Sequence, residues 1–189
     1  ALSSAASDVY KRQLLDLLRT GEYTPSEKEV KKLDKSIAYF EKKVNPLFNK
    51  LTKRGYSPEV VRLITGYPVD KPYLEYSYST KQTYERITKR VRYRGTAKYR
   101  VAEKARLTKS IITILVDRLG VNPDKEGELF DYFTSMTLDQ WYDWLNENWS
   151  YLKDVFEAYH AGMLGFGLYD VTESKAILSR LTRGQVAWE

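Results

Sequence analysis

The chain contains no cysteine and one histidine, His160, among its 189 residues. The first absence removes disulfides, thiol nucleophiles and cysteine zinc sites, and the second removes any histidine cluster. Metal-dependent chemistry would therefore rest on carboxylates alone. No run approaches the roughly 18 consecutive apolar residues of a membrane-spanning helix, so no membrane partner is expected. Neither a nucleophile beside a base nor a metal-ligand spacing stands out. Glycines gather only between Gly162 and Gly167, without the strand and GK[ST] ending of a phosphate-binding loop. The expectation is a non-enzyme that carries no cofactor.

Charge is abundant, and its order along the chain says more than the net value of +6. Lys81, Arg86, Lys89, Arg90, Arg92, Arg94, Lys98, Arg100, Lys104, Arg106 and Lys109 face only Glu85 and Glu103 within their stretch. Further on, Asp124, Glu126, Glu128, Asp131, Asp139, Asp143, Glu147, Asp154 and Glu157 face only Lys125 and Lys153. Opposed blocks of this kind point to two different partners, or to two parts that attract each other. Cations neutralise phosphates and release their counterions, and Tyr84, Tyr93 and Tyr99 between them offer faces for exposed bases. The basic block is thus a candidate DNA-binding segment. Upstream lysines add basic character, but Glu27, Glu29, Asp34 and Glu41 are expected to pair with many of them.

Ser3 to Gln13, SSAASDVYKRQ, reads as the first-frame translation of a transposase sequencing adapter, so residues 1–13 are expected not to be native. From there the punctuation of helices is legible. Thr24-Pro25-Ser26-Glu27 is read as a capping box with proline in the first turn. Val30, Leu33, Ile37, Phe40, Val44, Leu47 and Leu51 then form one stripe at steps of three and four, as on a long bundle or coiled-coil helix. Pro46 should kink or split it near Asn45, and Gly55 should end it. Ser57-Pro58-Glu59 opens a short helix that stops at Gly66. From Tyr67 to Ser79, Leu74, Tyr76 and Tyr78 alternate among prolines, which favours a strand or hairpin.

A further capping box, Ser79-Thr80-Lys81-Gln82, starts a basic helix running to about Arg94. After Gly95, the residues Val101, Ala105, Thr108, Ile112, Leu115 and Leu119 mark the buried face of the next helix, closed by Gly120. Asn122-Pro123 begins a helix with Leu129 and Phe133, and Thr137 with Gln140 begins one with Trp141, Trp144 and Leu145. A separate helix is expected to carry Leu152, Val155, Phe156 and Tyr159, and a last one spans about Thr172 to Leu181. The expected fold is mainly α: a long N-terminal helix, a small hairpin-like insert, a basic helix and a C-terminal bundle of the four-helix type. The expected division is 14–95 and 96–189. The glycine-rich loop would present Tyr169, with Thr172 and Ser174 just beyond it.

In the run KSIITILVDRLGVNPDKEGELFDYFTSMTLDQWYDWL, and in VFEAYHAG from Val155 to Gly162, the chain resembles the terminal proteins of small tailed phages that prime linear DNA replication. Asp139, Gln140, Trp141, Tyr142 and Leu145 take the places of that family's aromatic helix start. The likeness covers about residues 99 to 181, and the N-terminal half shares only composition and helix pattern. It implies DNA as one partner and a protein-primed family B DNA polymerase as another. The acidic side chains Asp124, Glu126, Glu128, Asp131, Asp139, Asp143 and Glu147 would dock on that polymerase. It further implies that a hydroxyl accepts the first nucleotide, with Tyr169, Tyr159, Ser174 and Thr172 as candidates in that order. The setting would be the host cytoplasm or nucleoid, or the virion with the protein attached to DNA. The competing expectation is a DNA-binding or nucleoprotein component without a covalent role, assembling through the stripe from Val30 to Leu51.

Overall fold

The computed structural model describes residues 12, 24–67, 81–162 and 169–189. It is mainly helical, with seven α-helices and no strand among the described residues. They are α1 (Glu27–Lys53), α2 (Pro58–Thr65), α3 (Lys81–Arg94), α4 (Ala97–Asp117), α5 (Glu126–Thr134), α6 (Leu138–His160) and α7 (Val171–Thr182). One 3-10 turn, Pro123–Lys125, leads into α5. The hairpin expected after Tyr67 lies outside the described residues; Tyr67 itself is buried coil. The chain divides into two compact units, residues 1–100 and 101–189, five residues later than the break at Gly95 had suggested.

In the first unit, α1 supplies Leu33, Ile37, Phe40, Val44 and Leu51 to the core, all with no solvent exposure. Val30 and Leu47, on the same stripe, are only partly covered. The helix begins two residues later than proline placement suggested. Ser26 is the N-cap, accepting from the Glu29 backbone N–H while the Glu29 carboxylate accepts from Ser26. Pro46 does not split it. Pro46 is exposed, and Val44 and Leu51, buried on either side of it, hold the helix down. At the far end Gly55 takes φ 77°, the left-handed turn that glycine enters without strain.

The stripe of α1 packs against both α2 and α3. Tyr67, just after α2, is buried against α1, stacked on Phe40 with centroids 5.8 Å apart and meeting Phe48 edge-on at 5.8 Å. Along α3 the buried positions Tyr84, Ile87, Val91 and Arg94 recur at steps of three and four. The start of α3 lies near the charges of Glu29 and Asp34, and its end brings Gly95 against the Phe40 backbone. Both helices thus run in the same sense, side by side.

The second unit is cored by Ile111, Ile114 and Leu115 of α4, Phe133 of α5, Trp144, Leu145 and Leu152 of α6, and Ile177, Leu178 and Leu181 of α7. Phe133 meets Trp144 edge to face at 5.1 Å, and the Trp144 indole N–H donates to the Leu181 carbonyl at 2.8 Å. Two expectations are corrected here. The helices expected separately around Trp144 and Val155 are one, α6, capped by Thr137 and Gln140. Buried positions recur from Trp141 to Val155 without a glycine or proline to stop it. Val101 and Ala105 are exposed, although the spacing assigned them to the core.

Candidate nucleic-acid interface

A helix that buries one stripe has two flanks as well as an outer face, and α1 sorts its charges between them. Lys28, Lys32, Lys35, Tyr39 and Lys42 or Lys43 follow one another at steps of four, three, four and three or four, which keeps them on a single flank. Glu27, Asp34 and Glu41 are spaced by seven and fall on the other. These three acids do not sit where the lysines are; the fourth, Glu29, borders the lysine flank, where its carboxylate is engaged at the N-cap by Ser26. Among the described residues, no salt bridge engages Lys28, Lys31, Lys32, Lys35, Lys42 or Lys43.

The α3 helix continues this surface. Its outer face carries Arg86, Lys89, Arg90 and Tyr93, with Lys81 and Arg92 on the side toward α1, all exposed. Tyr93 is 43% exposed and is held edge-on by Tyr99 at 5.7 Å. Glu85 is the one carboxylate of the helix. The joint between the helices is a cation–aromatic contact: the Arg92 guanidinium lies 4.1 Å from the centre of the Tyr39 ring, and the Lys43 ammonium 5.6 Å from the same ring. Tyr39 thereby lets cations from two helices approach one another, each attracted to the ring's negative face. Hydrated like charges elsewhere on the band repel weakly, by about 1 kcal/mol at 4 Å in water, and salt screens them within about 8 Å at physiological strength. The fold tolerates the band, and a polyanion would gain from it.

Not every cation of the basic block belongs to this surface. Arg94 is buried, with its guanidinium packed on Gly66 and its Nη2 donating to the Tyr99 hydroxyl at 3.0 Å. Gly66 has to be glycine twice over: its φ is 69°, and a Cβ there would come 2.9 Å from the Arg94 Cζ. Lys98 is exposed and Arg100 half-buried. Lys104 and Arg106 belong to the second unit, where Lys104 donates to the Met136 carbonyl and Arg106 pairs with Glu103 at 2.7 Å. Burial pushes the Lys104 ammonium below its ordinary pKa. The basic surface that the structure brings together is thus Lys81, Arg86, Lys89, Arg90 and Arg92 with the α1 lysines. The sequence marked the upstream lysines as basic but expected acids to pair with many of them; among the described residues no salt bridge does so for the six α1 lysines named above. Tyr39 was not singled out, and its helical spacing from the lysines was the signal.

The acidic residues are all at the surface. Asp124, Glu126, Glu128, Asp131, Asp139, Asp143, Glu147, Asp154 and Glu157 are exposed. Glu128 lies 3.6 Å from Lys125 and Glu147 2.9 Å from Arg183, and Asp139 and Asp143 are also engaged with other groups. On α6 these carboxylates lie opposite the buried stripe, so their distribution mirrors the lysines of α1 with the sign reversed.

The hydroxyl candidates are differently placed. Tyr169 is half-buried just ahead of α7, whose N-cap is Asp170. Burial first, then the charges of Asp154 and Glu173, raise its phenol above the ordinary value. Thr172 is exposed in the first turn of α7, whereas Ser174 is 3% exposed and faces the core. Tyr159 sits near the end of α6, with the Arg118 guanidinium 5.7 Å from its ring centre. Among the described residues, no group of three His, Cys, Asp or Glu side chains could hold a metal ion, and no helix is long and apolar enough to cross a membrane. No protein-family model, curated protein or solved structure matches the chain.

Proposed function

We propose that the chain is a nucleic-acid-binding protein that holds the phosphate backbone, without sequence preference, on the lysine and arginine band of α1 and α3. One observation carries this reading: five α1 lysines without an ion pair among the described residues, Lys28, Lys32, Lys35, Lys42 and Lys43, lie on the flank that joins, at Tyr39 and Arg92, the exposed cations of α3. Surface cations normally interleave with acids, and here Glu27, Asp34 and Glu41 lie on the opposite flank while Glu29 is engaged at the N-cap. DNA is the expected ligand. The test is fluorescence anisotropy with a labelled DNA oligonucleotide. Replacing Lys32, Lys35, Arg86 and Lys89 together by Ala should weaken binding by roughly tenfold or more at moderate salt, and replacing Lys153 and Lys175 should leave it unchanged. Equal affinity for the two variants would reject the band as the binding surface.

The division of charge between the two units favours a narrower second reading, that of the terminal proteins which the C-terminal sequence resembles. Residues 1–100 hold 22 basic against 11 acidic side chains, and residues 101–189 hold 9 against 14. In this reading the first unit binds DNA while the second, a helical bundle with a negative exterior, docks in the polymerase. The Tyr169 phenol oxygen then attacks the α-phosphorus of the first nucleotide and pyrophosphate leaves, with the polymerase supplying metal ions and geometry. The protein is the primer and not the catalyst. Incubation with the polymerase and a labelled nucleotide should label the chain, and Tyr169→Phe should abolish the label. Undiminished labelling of that variant rejects Tyr169 and moves the role to Thr172 or Tyr159.

A further inference from the structure

The exposed apolar residues of the second unit are not scattered. Between α4 and α5 runs an open cleft of about 690 Å³, lined on its apolar side by Ala105, Ile112 and Phe130. Phe130 is 54% exposed, although its neighbours on α5, Leu129 and Phe133, are wholly buried. Val101, also 54% exposed, continues the same stripe one turn before Ala105. Spacing alone had assigned Val101 and Ala105 to a core, and no part of the described fold covers them. Gly127 lines the cleft at a place where even a Cβ would meet nothing within 4 Å.

The banks of the cleft carry opposite charges. Lys109 stands on the α4 bank, and Glu126 and Asp131 stand on the α5 bank. None of the three has an ion pair among the described residues. A surface of this pattern is complementary to itself: turned about a two-fold axis, each bank meets the bank of opposite sign, and Phe130 enters the other copy's cleft. A foreign partner would need to bring a matching apolar ridge with the same polarity, whereas a second chain already has one.

We propose that the α4–α5 cleft is the dimerisation surface of this protein, closed by the same cleft of a second copy. The dimer presents two basic bands to one nucleic acid, but the inference stands on the cleft and not on the binding reading. It is tested with the full chain by light scattering over a dilution series. The unaltered protein should reach the mass of two chains, and Phe130→Ser should raise the dissociation constant roughly tenfold or more while circular dichroism stays unchanged.

Charge reversal decides the geometry. Lys109→Glu alone, and Glu126→Lys with Asp131→Lys alone, should each give monomers, because like charges then face each other across the axis. An equimolar mixture of the two should recover the two-chain mass, since every contact in the mixed pair is again between opposite signs. Monomers at all concentrations of the unaltered protein, unimpaired association of either folded variant, or failure of the mixture to associate would overturn the proposal. Loss of DNA binding by the band variant described above would leave it standing.

Discussion

Tyr39 and Tyr84 sit at the two ends of the contact between α1 and α3 and behave in opposite ways. Tyr39 lies among cations and contributes a ring face, so Tyr39→Leu should loosen Arg92 without emptying the core. Tyr84 is 4% exposed, and burial together with the charges of Glu29 and Asp34 pushes its phenol up to about 12. The unfolded chain would ionise this group near 10. Between those values the folded state holds a proton that the unfolded state has lost, so stability present below pH 10 falls as pH rises toward 12. Tyr84→Phe should flatten that fall. Urea denaturation at several alkaline pH values measures it, and an unchanged pH slope in the variant would show that Tyr84 does not titrate as described.

At the scale of the elements, Gly95 lets the end of α3 come close to the α1 backbone at Phe40. A Cβ at Gly95 would lie 3.0 Å from the Phe40 Cα, and backbone has little room to retreat. Gly95→Ala should therefore cost about 1 to 3 kcal/mol of stability, and weaken DNA binding by separating the two halves of the band. Calorimetric melting checks the first effect; a melting temperature equal to the parent's would mean that the helices are not held this closely. Most helices were legible in the sequence because their signals are local: Ser57-Pro58, Gly66, Gly95, Gly120 and Thr137 with Gln140 mark ends where the structure has ends. Three readings failed where non-local packing decides. Pro46 looked like a break, but burial on both sides of it carries α1 through. The aromatic run from Trp141 to Tyr159 looked like two helices, but nothing between them interrupts backbone bonding. Val101 and Ala105 carry a core-like spacing on a face that the described fold leaves open. For the candidate interface, the basic block was legible as composition and the α1 flank as spacing, yet only the fold separates the buried Arg94 from exposed Lys89 and sets α1 beside α3.

Over the whole molecule, the excess of positive charge belongs to one unit and the excess of negative charge to the other, which a net value of +6 conceals. A polyanion should be drawn to residues 1–100 and kept from residues 101–189. If the α1–α3 band replaces counterions on a phosphate backbone, affinity must fall steeply with salt, by about 0.9 in the logarithm for each phosphate neutralised. The most direct test is the slope of log affinity against log salt for DNA binding, compared between the unaltered chain and the variant lacking Lys32, Lys35, Arg86 and Lys89. The band predicts a steep slope for the first and a slope shallower by about three to four for the second. A slope near zero in the unaltered protein, or the same slope in both, would contradict it.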